Sequence, residues 1–297
     1  MGSAVGTAQQ IKVFWFFFSK KNYSLLSFLH GLNNHPSPWQ KGPGGRDMPS
    51  DWMLLLLLLV VGFAAGVQNA LAGGGSFLTF PALLLAGMDA RAANITSTVA
   101  LFPGQVTTGL AGRRDVAGGA GLSFPLLVGI SLAGGVVGAL LLLATPPRFF
   151  ARLVPFLVLF ATSVFAWGSF RRRQQRTVNI GRLGAGAAQF VIAIYGGYFG
   201  GGIGFLMLAV LTLAGLALRQ AGATKNALAA AMNAAAVLVF AGGGEVHWRA
   251  AISLGIGAIA GGQVGAWLLR RVDDRKLRIG VVLIGVALTI GLFLRQP

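Results

Sequence analysis

The stretch AGGVVGALLL at residues 133–142 returns as AGGQVGAWLL at residues 260–269. The two copies are identical at eight of ten positions, and the numbering of the second is offset from that of the first by 127. A recurrence at this distance indicates that the chain is built from two related halves. Because membrane transporters commonly hold their substrate between two such halves, equivalent positions in the two copies are the first places to look for a binding site.

The whole chain is strongly apolar. Of its 297 residues, 55% are hydrophobic and only 10% are charged, and the mean hydropathy is +0.72. Apolar runs at 52–71, 122–144 and 281–294 approach or exceed the roughly 20 residues that cross a bilayer as a helix. These runs predict an all-α integral membrane protein.

Glycine, proline and charged residues divide the apolar sequence into ten segments. The segments cover residues 52–72, 76–88, 93–112, 121–144, 149–170, 183–199, 203–218, 223–243, 250–269 and 277–294. Segments 76–88 and 203–218 are short for a hydrocarbon core of about 30 Å, and each follows a triple glycine. This pattern predicts about eight to ten transmembrane or re-entrant helices.

Three regions follow from this division. Residues 1–47 form an N-terminal extension that we predict to be disordered or a start-site artefact, because Met48 opens a more ordinary membrane-protein start. Residues 48–176 form the first transmembrane repeat, and residues 177–297 form the second.

The net charge of +17 comes mainly from basic residues in the loops between apolar segments. This position argues against nucleic-acid binding and for a role in membrane orientation. Beyond residue 47, one set of alternate loops carries thirteen Lys and Arg residues and the other carries five. Because basic loops stay in the cytoplasm, we predict both termini on the non-cytoplasmic side. Each half then crosses the membrane an odd number of times, which predicts two inverted repeats.

Polar side chains occur inside two of the apolar segments. The third segment places five of them on one helical face: Asn94, Ser97, Thr98, Gln105 and Thr108. The eighth segment carries Asn226 and Asn233, and adding 128 to the numbers of Thr98 and Gln105 superposes them on these two residues. Such groups either bond helices to each other or line a polar path, and their agreement between the halves favours the path.

Lys225 also lies in the eighth segment, at the position equivalent to Ser97. An ammonium group within a membrane helix is costly unless it reaches the surface or meets an anion. The sequence leaves both possibilities open.

The two triple glycines stand at equivalent positions before the two short segments. A glycine turn frees backbone N–H groups at the start of the next helix, where the helix dipole attracts anions. We therefore predict a substrate site made of the two turns and the polar faces. Its residues are Gly73, Gly74, Gly75, Ser76, Asn94, Ser97, Thr98, Gln105, Gly200, Gly201, Gly202, Thr224, Lys225, Asn226 and Asn233.

Other classes of function lack the residues that they need. The chain has no cysteine and three scattered histidines, so we predict no metal site and no cofactor. The sequence contains no cluster of His, Asp, Glu or Cys typical of a catalytic site, which argues against an enzyme. It also contains no phosphate-binding loop, which argues against transport driven by ATP.

Two stretches resemble a known family. GVQNALAGGGSFLTFPALLLAGMDARAANITSTVAL at residues 66–101 and YFGGGIGFLMLAVLTLAGLALRQAGATKNALAAAMN at residues 198–233 are similar to the two signature repeats of the TauE/SafE sulfite-exporter-like permeases. The likeness extends over about residues 52–295. It implies an inner or plasma membrane permease for small anions, with sulfite, sulfoacetate and related organosulfur anions as the associated substrates.

Together, these observations predict a permease that exports a small anion by alternating access of its two halves. A proton or a sodium ion is the candidate coupling ion, and the other partner is the lipid bilayer. A passive anion channel with the same lining and an uptake permease for an organic acid remain as alternatives.

Overall fold

The computed structural model describes residues 50–71, 74–170, 181–268 and 274–294. The predicted extension at 1–47 and Gly73 lie outside these ranges. Within them, the chain forms ten α-helices. In chain order these are α1 (Ser50–Leu71), α2 (Ser76–Leu85), α3 (Ala90–Ala111), α4 (Phe124–Ala144), α5 (Pro147–Phe170), α6 (Gly181–Tyr198), α7 (Ile203–Leu213), α8 (Leu218–Gly242), α9 (Trp248–Leu268) and α10 (Asp274–Leu294).

Each predicted apolar segment overlaps one of these helices, and α2 and α7 are the two short ones. They contain 10 and 11 residues. At 1.5 Å per residue they are about 15 and 17 Å long, roughly half the thickness of a bilayer core. Neither is long enough to cross a membrane alone.

Local signals set the start of the longer helices. The Asp89 carboxylate accepts hydrogen bonds from the backbone N–H groups of Arg91 and Ala92 at 3.0 and 3.1 Å, and this cap begins α3. Proline stands in the first turn of α4, where its missing N–H group has no helical partner to lose.

The outside of the helix assembly is apolar. Four stretches in the described helices are long and apolar enough to cross a membrane: Trp52–Ala70, Phe124–Ala144, Pro147–Val164 and Arg219–Gly242. Large apolar side chains point outward from them, including Leu56, Leu140 and Leu238 with exposed fractions of 64%, 52% and 77%. An apolar outer surface of this extent is typical of a protein that contacts lipid.

Each copy of the repeated stretch lies where one helix packs closely against another. Gly138 of α4 lies against the Ile194 carbonyl oxygen of α6, and Gly265 of α9 lies against the Val67 carbonyl oxygen of α1. The two glycines, and likewise their two partners, are related by the offset of the repeat. A Cβ atom at either glycine would overlap the partner backbone, so glycine is what permits the close approach.

Helices α3 and α8 are equivalent in the two halves and cross each other. Gly109 of α3 lies against the backbone of Asn226, and Gly112 lies against Ala223. Later residues of α3 therefore meet earlier residues of α8, which means that the two helices run antiparallel.

Two ion pairs join the halves reciprocally. Arg91 at the start of α3 pairs with Glu245 after α8 at 2.6 Å, and Arg219 at the start of α8 pairs with Asp115 after α3 at 3.0 Å. The two arginines occupy equivalent positions of the repeat. The pairs differ in burial, since the side chains of Arg91 and Glu245 are 16% and 28% exposed, against 83% and 36% in the other pair.

Candidate functional site

Glycine residues shape the turn that precedes each short helix. Gly74 before α2 has a φ of +81°, and Gly200 and Gly202 before α7 have φ values of +78° and +74°. These left-handed conformations are strained for residues that carry a Cβ atom. The two turns therefore depend on glycine for their geometry.

Side-chain amides hold both turns in place. Gln68 Nε2 donates a hydrogen bond to the Gly74 carbonyl oxygen at 3.0 Å. Asn94 Nδ2 donates one to the Tyr198 carbonyl oxygen, also at 3.0 Å, where α6 ends. The structure thus places the predicted residue Asn94 behind the second turn, as a support for its backbone.

A cavity lies between the two turns, and we refer to it as the central cavity. It contains about 460 Å³ of empty space, including its opening. Its lining comes from both halves: Asn69, Gly74, Ser76, Gln105, Thr108, Gly200, Ile203, Gly204, Lys225, Asn226 and Ala229. Six of the predicted site residues are brought together here: Gly74, Ser76, Gln105, Gly200, Lys225 and Asn226.

Lys225 supplies the positive charge in this lining. It lies in the second turn of α8, and its Nζ atom is 3.6 Å from the point where a Cβ atom on Gly204 would stand. Gly204 belongs to the first turn of α7, whose N–H groups carry the positive end of the helix dipole. Two sources of positive potential therefore meet at the central cavity, and none of its described lining residues is acidic.

An amide pair links α3 and α8 beside the same space. Asn233 Nδ2 donates a hydrogen bond to Gln105 Oε1 at 2.5 Å. Gln105 faces the central cavity, whereas Asn233 is buried behind it. Both residues belong to the predicted site, and the structure places them in contact.

Two predicted hydroxyl residues on α3 bond to protein instead of lining the central cavity. The Ser97 and Thr79 hydroxyl oxygens are 2.6 Å apart in a buried hydrogen bond. Thr98 Oγ1 donates to the backbone carbonyl one turn earlier in its own helix, at 2.9 Å. These contacts tie α2 to α3 and satisfy the hydroxyl groups internally.

The remaining predicted residues shape the surroundings of the central cavity. Thr224 Oγ1 accepts a hydrogen bond from the backbone N–H group of Ala117 at 3.0 Å and so anchors the loop after α3. Gly75, Gly201 and Gly202 pack against protein, because Cβ atoms there would meet Ala65, Phe199 and Ala161 respectively.

Five lining residues were outside the predicted site: Asn69, Thr108, Ile203, Gly204 and Ala229. Asn69 did carry a signal, since it is an amide in an apolar helix, four residues before the first triple glycine. Thr108 also carried one, because it lies one helical turn after Gln105 on the polar face of α3. The other three are apolar or lack a side chain, and nothing distinguishes them from packing residues before the helices are assembled.

Comparison with known proteins identifies the family. The family model for the sulfite exporter TauE/SafE matches residues 58–292. The chain belongs to the TauE/SafE family. It is therefore a multi-pass membrane protein of a transporter family, which confirms the resemblance inferred from the two glycine-containing stretches.

Curated relatives of this TauE/SafE protein extend over most of both chains. A probable membrane transporter protein of Haemophilus influenzae is 30% identical over 241 residues, which cover 80% of this chain and 93% of the relative. The probable membrane transporter protein ORF9 of a Sinorhizobium species is 32% identical over 80% of this chain and 92% of its own. The probable membrane transporter protein YfcA of Escherichia coli K12 is 28% identical, with 81% and 90% covered. No solved structure gives a significant match.

Proposed function

We propose that this TauE/SafE protein is a permease that moves a small anion out of the cell across the inner or plasma membrane. Sulfite, sulfoacetate and related organosulfur anions are the proposed substrates. Transport proceeds by alternating access of two inverted halves, and both termini lie on the non-cytoplasmic side. Family membership supports transport, and the charge distribution of the central cavity supports an anionic substrate.

The position of Lys225 carries the proposal of an anion. Its ammonium group lies beside the first turn of α7, so two positive groups share one space inside an apolar assembly. Such an arrangement is unfavourable when empty and becomes favourable when an anion lies between the groups. Asn69, Ser76 and Asn226 add neutral hydrogen-bond donors to the same lining.

Contacts between the halves support the inverted arrangement. Equivalent helices α3 and α8 run antiparallel, and the ion pairs of Arg91 and Arg219 are exchanged when the halves are exchanged. In a transporter of inverted repeats, each half can adopt the arrangement of the other, which moves the opening from one side to the other. The more buried pair, Arg91 with Glu245, then lies at the end of the transporter that is closed in this arrangement.

Anion flux into proteoliposomes tests the role of Lys225. Lys225→Ala is expected to lower the flux of radiolabelled sulfite by about 10- to 100-fold, since a hydrogen bond to a charged group contributes about 1.5–3 kcal/mol. Lys225→Arg is expected to retain part of the flux. Arg182→Ala serves as a matched control, because it removes an exposed cation at the start of α6.

Normal flux of both sulfite and sulfoacetate in the Lys225→Ala protein would remove this residue from the mechanism.

The same assay separates a carrier from a channel. A carrier saturates as the anion concentration rises, whereas flux that stays proportional to concentration would support a passive channel.

A further inference from the structure

A second, smaller cavity adjoins the central cavity, and we refer to it as the side cavity. It contains about 200 Å³ of empty space, including its opening. Asn69 and Thr108 line both cavities, so the two spaces meet at these side chains. Much of the remaining lining is small, and it includes Gly104 of α3 and Gly262 of α9.

The second half fills the place that corresponds to the side cavity. In the alignment of the two halves, Gly104 of α3 is equivalent to Met232 of α8, and Asn69 of α1 is equivalent to Gly196 of α6. The Met232 thioether lies directly against Gly196, and Met232 is fully buried. Where the second half packs methionine on glycine, the first half sets an asparagine amide beside a cavity lined by glycine.

The supporting helices differ in the same way. Gly135 of α4 packs against the Met232 carbonyl oxygen, whereas a Cβ atom on its equivalent, Gly262 of α9, would meet no atom within 4 Å. A Cβ atom on Gly104 would meet nothing closer than the Ala258 carbonyl oxygen at 3.5 Å. The side cavity is therefore a departure from the repeat that involves three helices of the assembly, α1, α3 and α9.

We propose that the side cavity is a subsite for a short uncharged substituent of the transported anion, and this inference rests on the proposed function. The charged group of the anion lies beside Lys225, and a substituent of about one non-hydrogen atom extends past Asn69. The Asn69 amide can donate to the anion, and its oxygen can accept from the substituent where that group is a hydroxyl. Asn69 and Gly104 thus determine the preference for substituted anions over bare inorganic oxyanions.

Paired flux measurements with sulfite and methanesulfonate test this subsite, because the second probe adds a methyl group to a sulfur oxyanion. The quantity to compare is the ratio of kcat/KM for methanesulfonate to that for sulfite, measured in proteoliposomes. Gly104→Ala is expected to lower this ratio by about 10-fold or more, since one methyl group then occupies the space of another. Gly262→Ala, which adds a methyl group on the opposite wall of the side cavity, should also lower this ratio.

Gly129→Ala is the matched control. Gly129 lies in α4, outside the described lining of both cavities, and a Cβ atom there also meets no atom within 4 Å. The ratio of kcat/KM for methanesulfonate to that for sulfite in the Gly129→Ala protein should equal the ratio in the wild-type protein. Both cavity variants have room for the added atom, so they should fold, and size-exclusion chromatography in detergent checks that they do.

The possible outcomes separate this inference from the proposed function. An unchanged ratio in Gly104→Ala and Gly262→Ala, or equal losses for both anions, would overturn the subsite. Wild-type flux of sulfite without flux of methanesulfonate would also overturn it and would leave the proposed function intact. Absence of flux for sulfite, sulfoacetate and methanesulfonate in the wild-type protein would overturn both.

Discussion

Asn233 Nδ2 donates a hydrogen bond to Gln105 Oε1 at 2.5 Å, and the two residues occupy equivalent positions of the two halves. A contact between equivalent residues lies where the two halves meet. The bond therefore belongs to the crossing between α3 and α8. Because Gln105 also lines the central cavity, this crossing borders the candidate site.

Removing one amide of this pair should destabilise the protein. Asn233→Leu leaves the Gln105 side chain without this partner, and we expect the free energy of unfolding to fall by about 1–2 kcal/mol. In the double variant Gln105→Leu/Asn233→Leu, the loss should be smaller than the sum of the single losses by about 0.5–1.5 kcal/mol. Unfolding in mixed micelles measures this coupling, and strictly additive losses would show that the bond contributes nothing.

The two equivalent ion pairs should contribute unequally to stability. Arg91 is largely buried, and it also donates to the carbonyl oxygens of Leu143 and Thr145 at 3.2 and 2.8 Å. Glu245→Gln should therefore lower the free energy of unfolding by about 1–3 kcal/mol. Asp115→Asn, in the exposed pair, should change it by less than about 0.5 kcal/mol. Thermal unfolding of the two variants side by side gives the comparison, and equal shifts in Tm would contradict it.

The left-handed glycines should tolerate asparagine better than alanine. At Gly200, with a φ of +78°, alanine should lower the free energy of unfolding by about 1–2 kcal/mol. Gly200→Asn should lower it less, because asparagine enters this conformation more readily. Gly129→Ala in the second turn of α4 should instead raise stability by up to about 1 kcal/mol. Thermal unfolding followed by fluorescence tests this order, which would be wrong if alanine and asparagine at Gly200 gave the same Tm.

Stability should fall on acidification because of His247. Burial lowers the pKa of His247 below its ordinary value of 6.5, and the nearby Asp89 carboxylate opposes this shift. As the pH falls, the unfolded chain therefore takes up the proton before the folded protein does. Stability that is present above about pH 6.5 is lost as the pH falls from there to the pKa of His247 in the folded state. His247→Gln should flatten the dependence of Tm on pH between 8 and 5. Parallel Tm profiles for the variant and the wild-type protein would assign the dependence to other groups.

The positions of the helices could be predicted from sequence because they depend on local composition. Apolar runs interrupted by glycine or charge mark helices in a bilayer, and the repeated stretch supplied the correspondence between the halves. Gly138 and Gly265 show why the repeat could be recognised. Each glycine packs against the backbone of a neighbouring helix, so glycine stands at the equivalent position of both halves.

The depth and partner of a polar side chain could not be predicted in the same way. Asn94 and Gln105 share one face of α3, but eleven residues separate them by about 16 Å along the helix axis. Asn94 meets the end of α6, whereas Gln105 meets Asn233 and the central cavity. Periodicity gives the direction of a side chain around its helix, and only the assembled neighbours decide whether it supports a turn or lines a cavity.

Each tightly packed helix pair takes one helix from each half, since α9 covers α1 and α6 covers α4. During synthesis, α1 and α4 are therefore translated before the helices that cover their glycine faces, and α1 waits until α9 near the end of the chain. The packing of the first half is consequently complete only when most of the second half has been made. A chain that ended after α5 would leave both glycine faces without these partners.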